Sequence, residues 1–188
     1  MGAPFEAFQS IPRIARECVV TEKIDGSNGQ VYVGDDGGVM AGSRNRWLGL
    51  EKTEDSFGFA RWVKDHEEEL RTGLGPGRHF GEWWGAGIQR RYGIAEKRFS
   101  LFNVARWADN RDRDKFPGDR PACCHVVPVL YRGCFSSGIV DGVLADLASN
   151  GSRAAPGFMR PEGVVVWHEA ARVLFKKTLD GDGHKSAR

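Results

Sequence analysis

Apolar and polar positions alternate with a period of two in several short stretches set between glycine-rich turns, and recur with a helical period in only two places. Cys18-Val19-Val20 reads as a strand that runs up to Lys23, Asp25-Gly26 is a strong turn signal, and Gln30-Val31-Tyr32-Val33 reads as the returning strand. Residues 18 to 42 are therefore expected to form a hairpin around Lys23, with Gly34-Asp35-Asp36-Gly37-Gly38 as a further loop before Val39-Met40-Ala41. Phe59, Trp62, Val63, His66 and Leu70 share one face of a helix predicted from about Phe57 to Thr72, with Gly73 as its stop and Glu67-Glu68-Glu69 as its solvated side. His66 on that face reads as a core-edge histidine. Strands follow at Arg78 to Trp84, Leu101 to Trp107 and Val126 to Leu130. A second helix is predicted from Ser136 or Ser137 to Ser149, with Val140, Val143, Leu144 and Leu147 as its buried stripe and Asn150-Gly151 as its end. Two last strands, Gly163 to Trp167 and Arg172 to Thr178, close the pattern, and residues 1 to 17 read as an irregular or short helical lead-in.

Composition adds bounds rather than a function. The 188 residues suit one domain spanning 1–188, and eleven Phe and six Trp suit a sheet-rich aromatic core. A net charge of +2 means that binding of a polyanion must come from a local patch. No apolar run reaches the roughly 20 residues of a membrane helix and Met1 to Ser10 has no signal-peptide regions, so a cytoplasmic protein is expected. Cys18, Cys123, Cys124 and Cys134 form no C-x-x-C pair and are read as free thiols, and Cys124-His125 lacks the second ligand pair that a zinc site needs. A charged loop at about 108 to 121 and a polar tail at about 180 to 188 are expected to lie in solvent.

The candidate chemistry begins at Lys23. A lysine where a strand gives way to a turn is by itself most simply a solvated strand end, and it is a nucleophile only as the neutral amine. Further motifs change that reading. They are Ser43-Arg44-Asn45-Arg46, Phe80-Gly81-Glu82-Trp83-Trp84-Gly85, Phe99-Ser100-Leu101-Phe102-Asn103-Val104, Pro161-Glu162-Gly163-Val164-Val165-Val166 and Phe175-Lys176-Lys177-Thr178. In this order, after Glu22-Lys23-Ile24-Asp25-Gly26, they resemble the covalent lysyl-nucleotidyltransferase superfamily, and within it the ATP-dependent RNA ligases. The resemblance covers about residues 20 to 178. The stretch from Gly85 to Tyr92 resembles the RNA-ligase version in particular.

The resemblance implies an α+β nucleotidyltransferase fold, with antiparallel β-sheets flanked by helices. It implies that Lys23 is the nucleophile that takes AMP from ATP, and that Glu22, Asp25, Asn28, Arg44 and Glu82 hold the nucleotide, Glu82 at the ribose. It implies that Phe102 stacks on adenine, although a core phenylalanine beside Phe99 and Leu101 is the competing reading. Glu162 matches the residue that serves the metal, through water. Strand alternation puts Val164 and Val166 on its side, where they could line the base slot. Mg2+ is the implied ion, with Mn2+ able to substitute. Arg46, Arg90 and Arg91 are the candidates for RNA contact.

Two departures stand out. The last motif of the family has two lysines one residue apart, whereas Lys176 and Lys177 are adjacent and on a strand face opposite ways. Lys176 is taken as the phosphate-facing one, with Lys177 or Lys185 supplying the second charge. The chain also stops about ten residues after this motif, which reads as a minimal catalytic domain without an appended module. Joining of RNA ends is accordingly expected to be weaker than adenylation, unless a protein partner or an oligomer completes RNA-end recognition. The expected activity is three-step sealing of RNA bearing a 5′-phosphate and a 3′-hydroxyl, in a bacterial or phage setting. A capping-type guanylyltransferase, a small DNA ligase and a non-enzymatic RNA-binding module are the alternatives.

Overall fold

A computed structural model describes residues 3–51, 54–108 and 119–181. Its nine strands build two sheets, and the first surprise lies at the lysine. Strand β1 (Glu17–Lys23) and strand β2 (Ser27–Val33) do not pair. β1 lies in a four-stranded antiparallel sheet, between β7 (Val129–Cys134) and β8 (Gly163–His168), with β9 (Val173–Thr178) beyond β8. β2 lies in a five-stranded sheet, between β3 (Val39–Gly42) and β4 (Gly77–Gly85), followed by β5 (Lys97–Leu101) and β6 (Cys124–Val126). Both edges of each strand are thus occupied by other partners, and Asp25-Gly26 carries the chain from one sheet to the other. Gly26 is needed for closeness: a Cβ there would lie 2.5 Å from the Trp83 carbonyl oxygen. The expected second loop at Gly34 to Gly38 does close a hairpin, β2 with β3.

The predicted helix of residues 57 to 72 is two helices, α1 (Phe59–Asp65) and α2 (Glu67–Leu74), broken at His66, whose φ of −110° and ψ of 18° leave the helical region. His66 sits at the core edge, its ring nitrogen Nδ1 2.8 Å from the Trp62 carbonyl oxygen. Gly73 lies inside α2, and the chain turns at Gly75, whose φ is 67°. Gly73 serves packing: a Cβ there would lie 2.7 Å from Pro121.

Two predicted strands are also revised. β5 ends at Leu101, and Asn103 accepts a bond from the Arg106 N–H at 3.1 Å to start the short helix α3 (Val104–Trp107). The run from 126 to 130 is split by Pro128, which has no N–H to give, so that β6 ends in one sheet and β7 begins in the other. Helix α4 (Ser137–Asn150) forms as read, with Ser136 accepting from the Ile139 N–H at 3.2 Å and Gly151 ending it.

The layers follow from alternation. One face of the five-stranded sheet packs Val31, Trp83 and Phe99 against Phe59, Val63, Leu70 and Leu74 of α1 and α2. One face of the four-stranded sheet packs Cys18, Val20, Val164 and Val166 against Val140 and Leu147 of α4. A third cluster, with Val19, Ile24, Trp84, Tyr92 and Val127, holds the two sheets together at one end. Val19, Ile24, Val104 and Val127 of this cluster also border a cleft between the sheets. The four cysteines are free. Among the described residues no group of three His, Cys, Asp or Glu is placed to hold a metal, and no helix is long and apolar enough to cross a membrane. The charged loop at 108 to 121 falls mostly outside the described residues.

Candidate active site

The cleft holds a cavity of about 940 Å³ lined by both sheets. On the β1 side, alternation turns Thr21 and Lys23 into it. The Lys23 Nζ donates to Glu162 Oε2 at 2.6 Å, and the two side chains are 25% and 12% exposed. Facing them, Asn28 of β2 is paired with Glu82 of β4 in register. The Asn28 amide nitrogen donates to Glu82 Oε2 at 3.0 Å, and the Gly26 N–H donates to Glu82 Oε1 at 3.0 Å. Arg44 donates through Nε to Asn28 Oδ1 at 2.8 Å, so Arg44, Asn28, Glu82 and the Gly26 backbone form one hydrogen-bonded chain along the wall opposite Lys23.

Glu82 is buried, and that burial outweighs the Lys23 charge and the Gly26 N–H in pushing its pKa up to about 7. Its folded pKa therefore stands above the ordinary 4.5, and its contribution to stability is complete below about pH 4.5 and lost as the pH rises through 7. Over that window the loss is about 3 kcal/mol at about 1.4 kcal/mol per pKa unit. Glu82→Gln should remove this part of the pH dependence while losing one bond, because its amide nitrogen must face a donor, either Gly26 N–H or the Asn28 amide. Thermal melts at pH 5 and pH 8 check it: an unchanged difference between wild type and variant at the two values would show that Glu82 does not titrate there.

The rest of the cavity comes from β8, β9 and the segment that leads from β5 into α3. Phe102 follows β5 and is 41% exposed on the wall, whereas Phe99 is the buried core residue. Lys176 of β9 lines the cavity and pairs with Val165, which lines it too. Lys177 turns to the other face, where its ammonium meets Asp141 of α4. It does not reach the cavity, and Lys185 lies outside the described residues.

Val164 and Val166 likewise face away, fully buried against α4, while Val165 and Trp167 take the places expected of them. Glu162 precedes β8, and Gly163 has a φ of 156° that side-chain-bearing residues rarely adopt, so alternation does not carry through to Glu162. A Cβ on Gly163 would lie 2.2 Å from the Lys177 carbonyl oxygen. A signal for Val165 existed: with Glu169 to Arg172 as the loop, hairpin pairing sets Val165 opposite Lys176.

Two more candidates do other work. Glu22 borders the cavity through its backbone, but its carboxylate lies on the far side of β1. There it accepts the Ser152 hydroxyl at 2.5 Å and the N–H groups of Arg153 and Ala154 at 2.8 and 2.9 Å. Arg90 is folded inward, donating to Asp25 Oδ2 at 3.0 Å, to the carbonyls of Arg160 and Pro161 at 3.2 and 3.4 Å, and to Asp180. It braces the residues just before Glu162 and is paired with the Asp25 carboxylate. This is what the stretch from Gly85 to Tyr92 builds: Gln89, Arg91 and Tyr92 all have positive φ, and the coil delivers Arg90 and the Tyr92 hydroxyl, which accepts the Asp25 N–H at 2.8 Å. Arg91 points to solvent and Arg46 lies exposed outside the cavity.

An amine with a carboxylate beside it, a cation on either side, a buried carboxylate and an exposed ring are thus gathered at one cavity. The profile of the RNA ligase family matches residues 16–178, and the chain belongs to that family. No curated protein matches it. Solved structures of Naegleria gruberi RNA ligase share its fold. An apo lysine variant has a TM-score of 0.63 at 23% identity, over 88% of this chain and 50% of that one. A lysine variant with ATP and Mn has 0.63 at 22% over 88% and 50%, and a glutamate variant with AMP and Mn has 0.63 at 21% over 89% and 51%. The chain thus spans about half the length of the structures it matches.

Proposed function

We propose that the chain acts as an ATP-dependent RNA ligase, charging Lys23 with AMP and passing it to the 5′-phosphate of an RNA, after which a 3′-hydroxyl attacks that phosphate, seals the strand and expels AMP. The observation that carries this reading is the Lys23 amine held by Glu162 in a cavity that has Glu82, Asn28 and Arg44 on one side and Lys176 and Val165 on the other. The Nζ lone pair forms a P–N bond to the α-phosphorus, the bond from that phosphorus to the bridging oxygen breaks, and pyrophosphate leaves. Glu162 holds the amine in line and is the acceptor within reach for its proton. Arg44 and Lys176 neutralise phosphate oxygens, the fork of Arg44 suiting two at once. Glu82 accepts from a ribose hydroxyl, and Phe102 and Val165 enclose the base.

A divalent cation fits the donors present. The Glu162 carboxylate lies beside the Lys23 amine, and one such carboxylate suits a magnesium ion that keeps most of its waters. Such an ion would be held by Glu162 through water and would offset charge on the phosphate oxygens.

The test is incubation with labelled ATP or GTP and magnesium followed by denaturing electrophoresis. Stable label from ATP supports the reading, label from GTP alone would move it to capping, and no label from either would overturn it. Phe102→Ala should raise the ATP concentration needed for half-maximal labelling by about tenfold, the loss of one stacked base. Its melting temperature should stay near wild type, whereas a core phenylalanine would lose about 3 to 5 kcal/mol.

A further inference from the structure

The five-stranded sheet continues past the cavity, and its outer face carries side chains that the core does not use, with Phe80 and Arg78 at the rim of the cavity and Tyr32, Met40 and Trp47 beyond it. Register orders them into rows. Asn28 and Glu82 form the row inside the cavity, Gln30 lies opposite Phe80 in the next, and Tyr32 lies between Met40 and Arg78 in the one after. Trp47, bridged to the end of β3 at Gly42, covers the last of these with its ring 6.1 Å from that of Tyr32. Phe80 is 52% exposed, and Trp47 and Met40 are each 43% exposed.

Arg78 is held on this shelf. Its guanidinium carbon lies 5.1 Å from the Tyr32 ring centroid and 5.2 Å from that of Trp47, and Nη1 donates to Gln30 Oε1 at 3.0 Å. Gln30 is fixed in turn by donating to the Ser43 carbonyl at 3.1 Å. The planar cation is thus presented on aromatic rings with its position set in advance. β2, β3 and β4 carry one carboxylate among them, Glu82, and Arg44 and Arg46 stand in the loop between β3 and Trp47. Exposed rings interleaved with arginines, in a strip free of acids and continuous with the cavity, match a polymer that offers flat bases and regularly spaced phosphates.

We propose that this strip, Tyr32, Trp47, Arg78 and Phe80 with Arg46 at its border, seats unpaired nucleotides of the RNA strand next to the reacting end. Bases stack on Trp47 and Phe80, and Arg46 and Arg78 take phosphodiester oxygens. The rows lead those nucleotides inward to Asn28, Glu82 and Lys23. The identity of the polymer rests on the ligase reading above, but its binding to the strip needs no adenylation.

The experiment is fluorescence anisotropy with a labelled single-stranded oligoribonucleotide that ends in a 5′-hydroxyl and so cannot accept AMP. Trp47→Ala should weaken binding by about tenfold, the loss of one stacked base, and Trp47→Phe should recover most of it. Met40→Glu puts a carboxylate on the exposed strip without removing any ring and should weaken binding several-fold. Label from ATP on Lys23 should match wild type in all three variants. If Trp47→Ala melts at the assay temperature, Met40→Glu decides. Wild-type affinity in Met40→Glu and in a folded Trp47→Ala would overturn the strip. Intact, strip-dependent RNA binding with no label from ATP in wild type would sink the ligase reading and leave the strip standing.

Discussion

Lys23→Ala should take no denaturation-stable label from ATP, at any nucleotide concentration, while keeping the fold. The loss is total because the covalent bond is made to the removed atom, and no second lysine can take its place: Lys176 enters the cavity from β9, and Lys177 is bound to Asp141 behind the sheet. Lys23→Arg should fail as well, since a guanidinium stays protonated and has no lone pair to offer. The fold should persist because Lys23 stands partly exposed at the end of β1 and belongs to none of the hydrophobic clusters. Circular dichroism beside the gel separates loss of chemistry from loss of structure. Label accumulating on a folded Lys23→Ala would show that another residue is the nucleophile.

Glu22→Ala should be the most destabilising change next to the site, although it removes no contact to the cavity. The Glu22 carboxylate is buried 130 residues in sequence from the Ser152 hydroxyl and also takes the N–H groups of Arg153 and Ala154. Truncation strands all three donors in a dry place, at about 1–3 kcal/mol each, so a loss of at least about 3 kcal/mol is expected. For a chain of this size that lowers the melting temperature by about 6 to 12 °C. Glu22→Gln should fall between, because its amide oxygen can still accept while its amide nitrogen meets a donor. A melting temperature for Glu22→Ala within about 2 °C of wild type would mean that the loop at 152–154 is held by something else.

Much of this was readable along the chain. The apolar stripe of α4, its Ser136 cap and its Gly151 end are local features, and local energetics decide them. The order of motifs from Lys23 to Lys176 identified the family, and the adjacency of Lys176 and Lys177 required them to face opposite ways before any partner was known. Strand pairing then brought Lys23, Asn28, Arg44, Glu82, Phe102 and Lys176 around one cavity.

What the chain alone could not decide was which face of an element meets which neighbour. A period of two says that Val164 and Val166 share a face and Val165 has the other, yet only pairing with β1 and β9, and packing on α4, says which face is the core. Gly163, with its positive φ, broke the phase from which Glu162 would have predicted it. Asp25-Gly26 has the composition of a hairpin turn, but β1 and β2 found better edges more than forty residues away in sequence, at β4, β7 and β8. Glu22 and Arg90 carry charges whose partners sit at positions 152–154 and at 25, 160, 161 and 180, distances over which sequence periodicity has no reach. Local propensity and alternation therefore determined most of the elements, and the order of motifs singled out Lys23, while long-range pairing and the desolvation of buried charges determined which of the candidate residues enter the cavity and which hold it in shape.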